Sequence, residues 1–276
     1  MRLAVKNKLK IVLQKIHILG VGKKFYKLHY KKRHKRHMKE AKKRNCGWKD
    51  SRYNKLKELH NSFLGKRCFV VCTGPSLTIN DINLLKNEYT FSMNSIFKLF
   101  DKTDWRPSFY VIQDEKVYDK LKDDETFKGI KNKFVADFIF ENIDVDKTKN
   151  IMFPIDLLNH RDYDNKIFDT EFSDNAYNIV YDGGTVTYSI FQIAYYLGFR
   201  EIYLLGCDCD YSGTKQHFAD YGIKVNDSPE SRMIIGYQVA NDFTKKSDLK
   251  IFNATRGGKL EVYTRVNLDD IVKEVH

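Results

Sequence analysis

Three short stretches of the chain carry residue types that could handle a phosphate and a hydroxyl. Thr73-Gly74-Pro75-Ser76 follows the apolar run Cys68–Cys72. Where a strand turns into a helix through such a junction, backbone N–H groups can approach an anion closely. The stretch is neither a Walker loop nor G-x-G-x-x-G. Gly183-Gly184-Thr185 repeats the arrangement: a strand, two glycines, a hydroxyl able to cap, then a helix. His217 stands in DYSGTKQHFADY, a polar loop just past a strand. A histidine there can act as a general base with little tuning, and Tyr211 in the same loop can donate to a departing phosphate. Asn94, after another apolar run, offers a neutral donor and acceptor to a nucleobase, a ribose or a sugar hydroxyl. Each has a plain structural reading beside it: a turn with a cap, a turn asparagine, an exposed loop histidine. Asp208-x-Asp210 raises a divalent cation, but Asp208 follows its strand directly, as a capping carboxylate does, and no metal is expected.

These residues need a scaffold that brings strand ends together. From Arg67 onward apolar, β-rich runs alternate with helical patterns, clearest over 185–197 and 228–246. The runs are CFVVC, YTFSMN, SFYVIQ, KFVADFIF, NIMFP, NIVY, EIYLLG and LKIFNA. Strands apolar on both faces, alternating with helices, predict an α/β fold with a mainly parallel sheet covered by helices. In such sheets ligands bind beyond the carboxyl ends of the strands. Those ends read Thr73–Ser76, Asn94, Gln113-Asp114, Asp182–Thr185, Asp208–Tyr211 and Asn253–Thr255, all small or polar. Together they predict one shared rim.

The net charge of +12 is unevenly placed. Residues 1–48 hold 17 Lys and Arg and one acid, Glu40, whereas the remainder holds 31 cations against 35 acids. The basicity belongs to an N-terminal extension, so the overall charge is no argument for nucleic acid. Leu9, Val12, Leu13, Ile16 and Leu19 share a helical face, and dense Lys and Arg follow with Phe25, Tyr26 and Tyr30 among them. This pattern suits an anionic membrane surface. The expected organisation is a basic extension and linker over 1–64 and a nucleotide-binding domain over 65–276. No transmembrane run and no secretory signal are read. The five cysteines (Cys46, Cys68, Cys72, Cys207, Cys209) are expected as free thiols of a reducing cytosol.

VVCTGPSL, FSMNSIF, DGGTVTYSIFQIAYYLGFREIYLLGCDCDYSG, QHF and FNATRGGKLEVYTRVNLD together resemble a bacterial family associated with cell-surface polysaccharide synthesis. Its better-known relatives are the CMP-sialic-acid sialyltransferases of lipooligosaccharide synthesis and the archaeal 6-hydroxymethylpterin diphosphokinase-like proteins. The resemblance covers about residues 67–270 and implies a Rossmann-like, variant GT-A-like sheet. It assigns Gly74, Ser76 and Asn94 to the nucleotide, with Thr73 in place of the relatives' asparagine, and Gln113 or Asp114 near another nucleotide contact. Gly183, Gly184, Thr185 and Asp208 complete that wall, and Asn253 and Thr255 are expected on the substrate. His217-Phe218 matches the relatives' catalytic base, and Tyr211 their phosphate-assisting tyrosine.

The implied activity is a metal-independent, cofactor-free glycosyltransferase. It takes a nucleotide sugar, most plausibly a CMP-sugar, and inverts the anomeric centre on a glycan or lipid-linked acceptor. Residues 1–45 are expected at the inner face of the cell membrane, and no nucleic acid is expected as partner. Self-association is left open. The rivals are an ATP-dependent pyrophosphoryl transferase, with Asp208, Asp210 and Asp114 on Mg²⁺, and a membrane-attached scaffold without catalysis.

Overall fold

A computed structural model describes residues 21–158, 170–210 and 230–273. Its strands are β1 (Arg67–Val71), β2 (Thr90–Met93), β3 (Phe109–Ile112), β4 (Lys133–Ala136), β5 (Asn150–Phe153), β6 (Ile155–Asp156), β7 (Val180–Tyr181), β8 (Glu201–Leu205) and β9 (Lys250–Asn253). Seven form one sheet in the order β5-β4-β3-β2-β1-β8-β9, and every neighbouring pair is parallel. β1 to β4 and β8 are buried along almost their whole length, as strands covered on both faces must be. The fold is α/β and Rossmann-like. The chain runs outward from β1 to β5 and returns to β8 on the other side of β1, so the strand order reverses between β1 and β8. In open α/β sheets ligands bind at such a reversal, beyond the carboxyl ends.

NIVY was read as one more strand of the main sheet, but β7 pairs with β6 in a separate two-stranded sheet. Pro154, directly after β5, has no N–H to extend the main ladder. Its carbonyl instead accepts the Val180 N–H at 2.8 Å.

Four helices position the site: α1 (Val21–Asn45), α2 (Asp137–Asn142), α3 (Val186–Leu197) and α4 (Glu230–Thr244). Every residue of α3 but Tyr195 is buried, so packing holds it from all sides. The Thr185 hydroxyl caps it by accepting the Thr187 N–H, and Gly198 ends it in the left-handed region. Among the described residues no helix is long and apolar enough to cross a membrane. Residues 9–19 lie outside the described residues.

The basic extension is tied to the body by ions. Arg33 on α1 is buried and donates to Asp137 at 2.8 Å and to Glu141 at 2.7 Å, both on α2. Asp137 also accepts the Tyr53 hydroxyl at 2.9 Å and the Ile155 N–H at 3.3 Å. His34 pairs with Asp156, and Arg44 with Asp50 at 3.0 Å. Breaking one partner of such a buried pair typically costs about 3–5 kcal/mol, because a charge is left alone in the interior.

His37 is enclosed in the same cluster, its Nε2 3.5 Å from Asp137. Burial, with help from the Arg33 guanidinium, pushes its pKa down to about 3, against the pull of Asp156. A histidine that resists protons only when folded stabilises fully above its unfolded pKa. That contribution is lost as pH falls from about 6.5 toward 3. Urea unfolding of the native chain is therefore expected to weaken with acid more steeply than that of His37→Gln, by up to ~1.4 kcal/mol per pH unit. Equal slopes would assign the proton to another group.

Candidate functional site

The exits of β1, β8 and β9 are fastened around one carboxylate. Asp208 Oδ2 accepts the Ser76 N–H at 3.3 Å and the Ser76 hydroxyl at 3.0 Å. The Asp208 carbonyl accepts the Lys259 N–H at 2.7 Å. Both loops close on it so tightly that side chains are excluded. A Cβ on Gly74 would lie 1.8 Å from Asp208 Oδ2, and one on Gly258 2.4 Å from the Asp208 carbonyl. Burial pushes the Asp208 carboxyl upward, and the Ser76 hydrogen bonds oppose that shift.

A second convergence forms at the head of α3. Thr187, in its first turn, touches Cys72 after β1 at 3.5 Å and Met93 at the end of β2 at 3.7 Å. After β3, the Gln113 amide donates to Asp182 at 3.0 Å, and Asp182 also accepts the Gly184 N–H at 3.0 Å. The exits of β1, β2, β3 and β7 therefore meet at one helix N-terminus, whose dipole favours an anion. On the outer side α4 leans on the glycine pair. A Cβ on Gly236 would lie 2.6 Å from the Gly183 carbonyl, and Arg232 lies beside Gly184.

Three polar atoms beside this helix head are buried with no hydrogen-bond partner among the described residues: Asn94 Oδ1, Ser95 Oγ and Gln113 Oε1. An orphaned buried acceptor costs about 1–3 kcal/mol. Asn94 is further held in the left-handed region, at φ 49°, with its carbonyl accepting the Tyr110 hydroxyl. These three atoms are neutral and can accept hydroxyl or amino donors of a ligand, and the buried Asp182 carboxylate that Gln113 binds stands beside them.

The structure thus brings Gly74, Ser76, Asn94, Gln113, Gly183, Gly184 and Thr185 onto one rim, with Thr73 buried behind the first loop. It places others differently. Asp208 spends its carboxylate on Ser76. Asn253 is fully buried, donating to the Leu260 carbonyl at 2.8 Å and accepting the Thr255 N–H at 3.0 Å. Thr255 accepts the Cys207 N–H at 3.0 Å. Asp114 is exposed and caps the helix that follows β3. Tyr211 and His217 lie outside the described residues. Ser95 and Asp182 stand at strand exits expected on the rim, but neither was given a part in binding. All five cysteines are free. Among the described residues no three His, Cys, Asp or Glu side chains are grouped to hold a metal.

A family model described as "6-hydroxymethylpterin diphosphokinase MptE-like" matches residues 48–214, more than half of the chain. The chain belongs to that MptE-like family. A search of curated proteins finds no match. Among solved structures, this MptE-like chain is similar to the MAf glycosyltransferase from Magnetospirillum magneticum AMB-1, with 15% identity and a TM-score of 0.49. That similarity covers 79% of the chain but only 38% of the MAf enzyme. It is also similar to the sialyltransferase CstII from Campylobacter jejuni, with 14% identity and a TM-score of 0.37, over 73% of this chain and 86% of the other.

In this MptE-like chain the Gly74 position tests how the rim is built. Gly74→Ala forces a methyl against Asp208 and the Gly206 carbonyl. It is expected to destabilise the fold by about 1–3 kcal/mol, the usual range for overpacking. Chemical denaturation reads this, and an unchanged midpoint would mean that the loop does not close on Asp208.

Proposed function

We propose that this chain is a glycosyltransferase that moves a sugar from a CMP-sugar to an acceptor hydroxyl with inversion. The observation that carries the reading is the set of orphaned neutral atoms, Asn94 Oδ1, Ser95 Oγ and Gln113 Oε1, beside the N-terminus of α3. A nucleoside supplies hydroxyl and amino donors to such acceptors, and its phosphate suits the dipole of the helix that Thr185 opens. Gly74 and Ser76 form the facing wall, and Asp208 braces that wall.

His217 is the proposed base. It takes the proton of the acceptor hydroxyl as the acceptor oxygen bonds to the anomeric carbon. The bond from that carbon to the phosphate oxygen breaks on the opposite face, and its electron pair leaves with CMP. Tyr211 donates a hydrogen bond to the departing phosphate. Asp210 and Glu230 bracket the segment that carries both residues. Asp210 follows β8 and pairs with Lys259 at 2.9 Å, and α4 packs on Gly183 and Gly184. The proposed acceptor is a glycan or lipid-linked molecule at an anionic membrane surface, reached through residues 1–45.

The family description favours a second reading, pyrophosphoryl transfer from ATP to a hydroxymethylpterin. Its candidate Mg²⁺ ligands are otherwise engaged: Asp208 with Ser76, Asp210 with Lys259, and Asp114 as a helix cap. Thermal melting with CMP, CDP, UDP, GDP and ATP, with and without Mg²⁺, separates the readings, because a ligand of the folded state raises the melting temperature. CMP is expected to raise it without Mg²⁺. A response to ATP that requires Mg²⁺ would favour the second reading, and no response to any nucleotide a scaffold. His217→Ala is expected to lower transfer at least ~100-fold while keeping the CMP response. Full transfer activity in that variant would remove His217 from the chemistry.

A further inference from the structure

Helix α1 sorts its charges by face. At about 100° per residue, Lys31, Lys32, Lys35, Lys39, Lys42 and Lys43 fall within an arc of about 120°. All six are exposed. Arg33, His37, Ala41 and Arg44 fall on the opposite side and are buried against the body. The carboxylates that meet α1 are taken by its inner and flanking residues: Asp137 and Glu141 by Arg33, Glu141 by Arg36, Asp156 by His34, and Asp50 by Arg44. Among the described residues no carboxylate pairs with Lys31, Lys32, Lys35, Lys39 or Lys42. Lys43 lies over the Trp48 ring at 5.7 Å. Large apolar side chains stand beside this ridge: Leu28 is 49% exposed, Met38 39% and Trp48 43%.

We propose that this outer face of α1 is a docking surface for an anionic lipid bilayer. The inference rests on the glycosyltransferase reading only for the membrane-linked acceptor; the surface itself stands on its own charges and shape. Lysines on a helical face lean toward anionic headgroups, and exposed Leu, Met and Trp enter the interfacial layer. A nucleic-acid backbone would reward the lysines but leave Leu28 and Met38 in water.

The docking face is fixed rigidly to the site. Arg33 grips Asp137, the first residue after β4, and His34 grips Asp156, the last of β6. The Tyr181 hydroxyl donates to the Met38 sulfur at 3.8 Å, one residue before Asp182 of the rim. The lysine ridge and the strand exits therefore share the carboxyl edge of the sheet. A bilayer on the ridge would lie at that edge, within reach of an acceptor held on a lipid.

Flotation of the full chain with phosphatidylcholine vesicles, alone or mixed with phosphatidylglycerol, tests this. The native chain is expected to float with the anionic vesicles and to be released by salt. A variant carrying Lys31→Gln, Lys35→Gln, Lys39→Gln and Lys42→Gln is expected to partition at least ~100-fold less, since each lysine contributes several-fold near such a surface. Its melting temperature and CMP response should match the native chain, because these side chains are exposed. Undiminished flotation of the variant would overturn the proposal, as would tighter binding of the native chain to duplex DNA than to the anionic vesicles. Lysine-dependent flotation with no CMP response would uphold the surface and sink only the donor assignment.

Discussion

The rim depends on the burial of the Asp208 carboxylate between two loops that have no room for side chains. It takes both hydrogen-bonding groups that Ser76 can offer, and its backbone carbonyl holds the loop after β9. A buried carboxylate is tolerable only while such partners hold, so the exits of β1, β8 and β9 are fixed with respect to one another. This has a chemical corollary. The Ser76 N–H, a natural partner for phosphate, already faces an anion of the chain's own. The Gly184 N–H likewise faces Asp182, so what the head of α3 offers an external anion is its dipole.

Electrostatics divides the molecule in a second way. Its excess of positive charge is concentrated in the N-terminal residues, yet part of that charge is consumed internally. Arg33 and Arg44 neutralise Asp137 and Asp50, and His34 hydrogen-bonds Asp156. These pairs add orientation more than stability, since desolvation offsets much of their attraction. They turn α1 so that its unpaired lysines face outward, and they hold it against the strand exits.

The parallel sheet was legible because strands covered on both faces must be apolar throughout, and runs such as CFVVC and EIYLLG show that without ambiguity. β6 was not legible: two residues after a proline carry no periodicity. β7 read as a strand, but its partner could not be known, because pairing depends on where Pro154 ends the neighbouring ladder. In the site, the small residues at Gly74 and Gly258 were visible, but not what approaches them. The same limit applies to charge. A lysine of the outer ridge and the buried Arg33 look alike in a string of basic residues, because the carboxylate that separates them lies about a hundred residues away. The orphaned oxygens of Asn94 and Gln113 exist only as a spatial fact.

That sequence distance affects how the chain is made. Arg33 precedes Asp137 by 104 positions, and Arg44 precedes Asn178 by 134. Contacts so distant in sequence form late, after the intervening chain has collapsed. During synthesis Arg33 and His34 therefore emerge long before Asp137 and Asp156 exist, whereas Asp50 follows Arg44 within six residues. Arg33 and His34 are then as available to passing polyanions as the outer lysines. Completion of β4, α2 and β6 withdraws the inner set and leaves only the outer one. The selectivity of the basic surface is thus acquired only once β4, α2 and β6 have been made and fold against the helix.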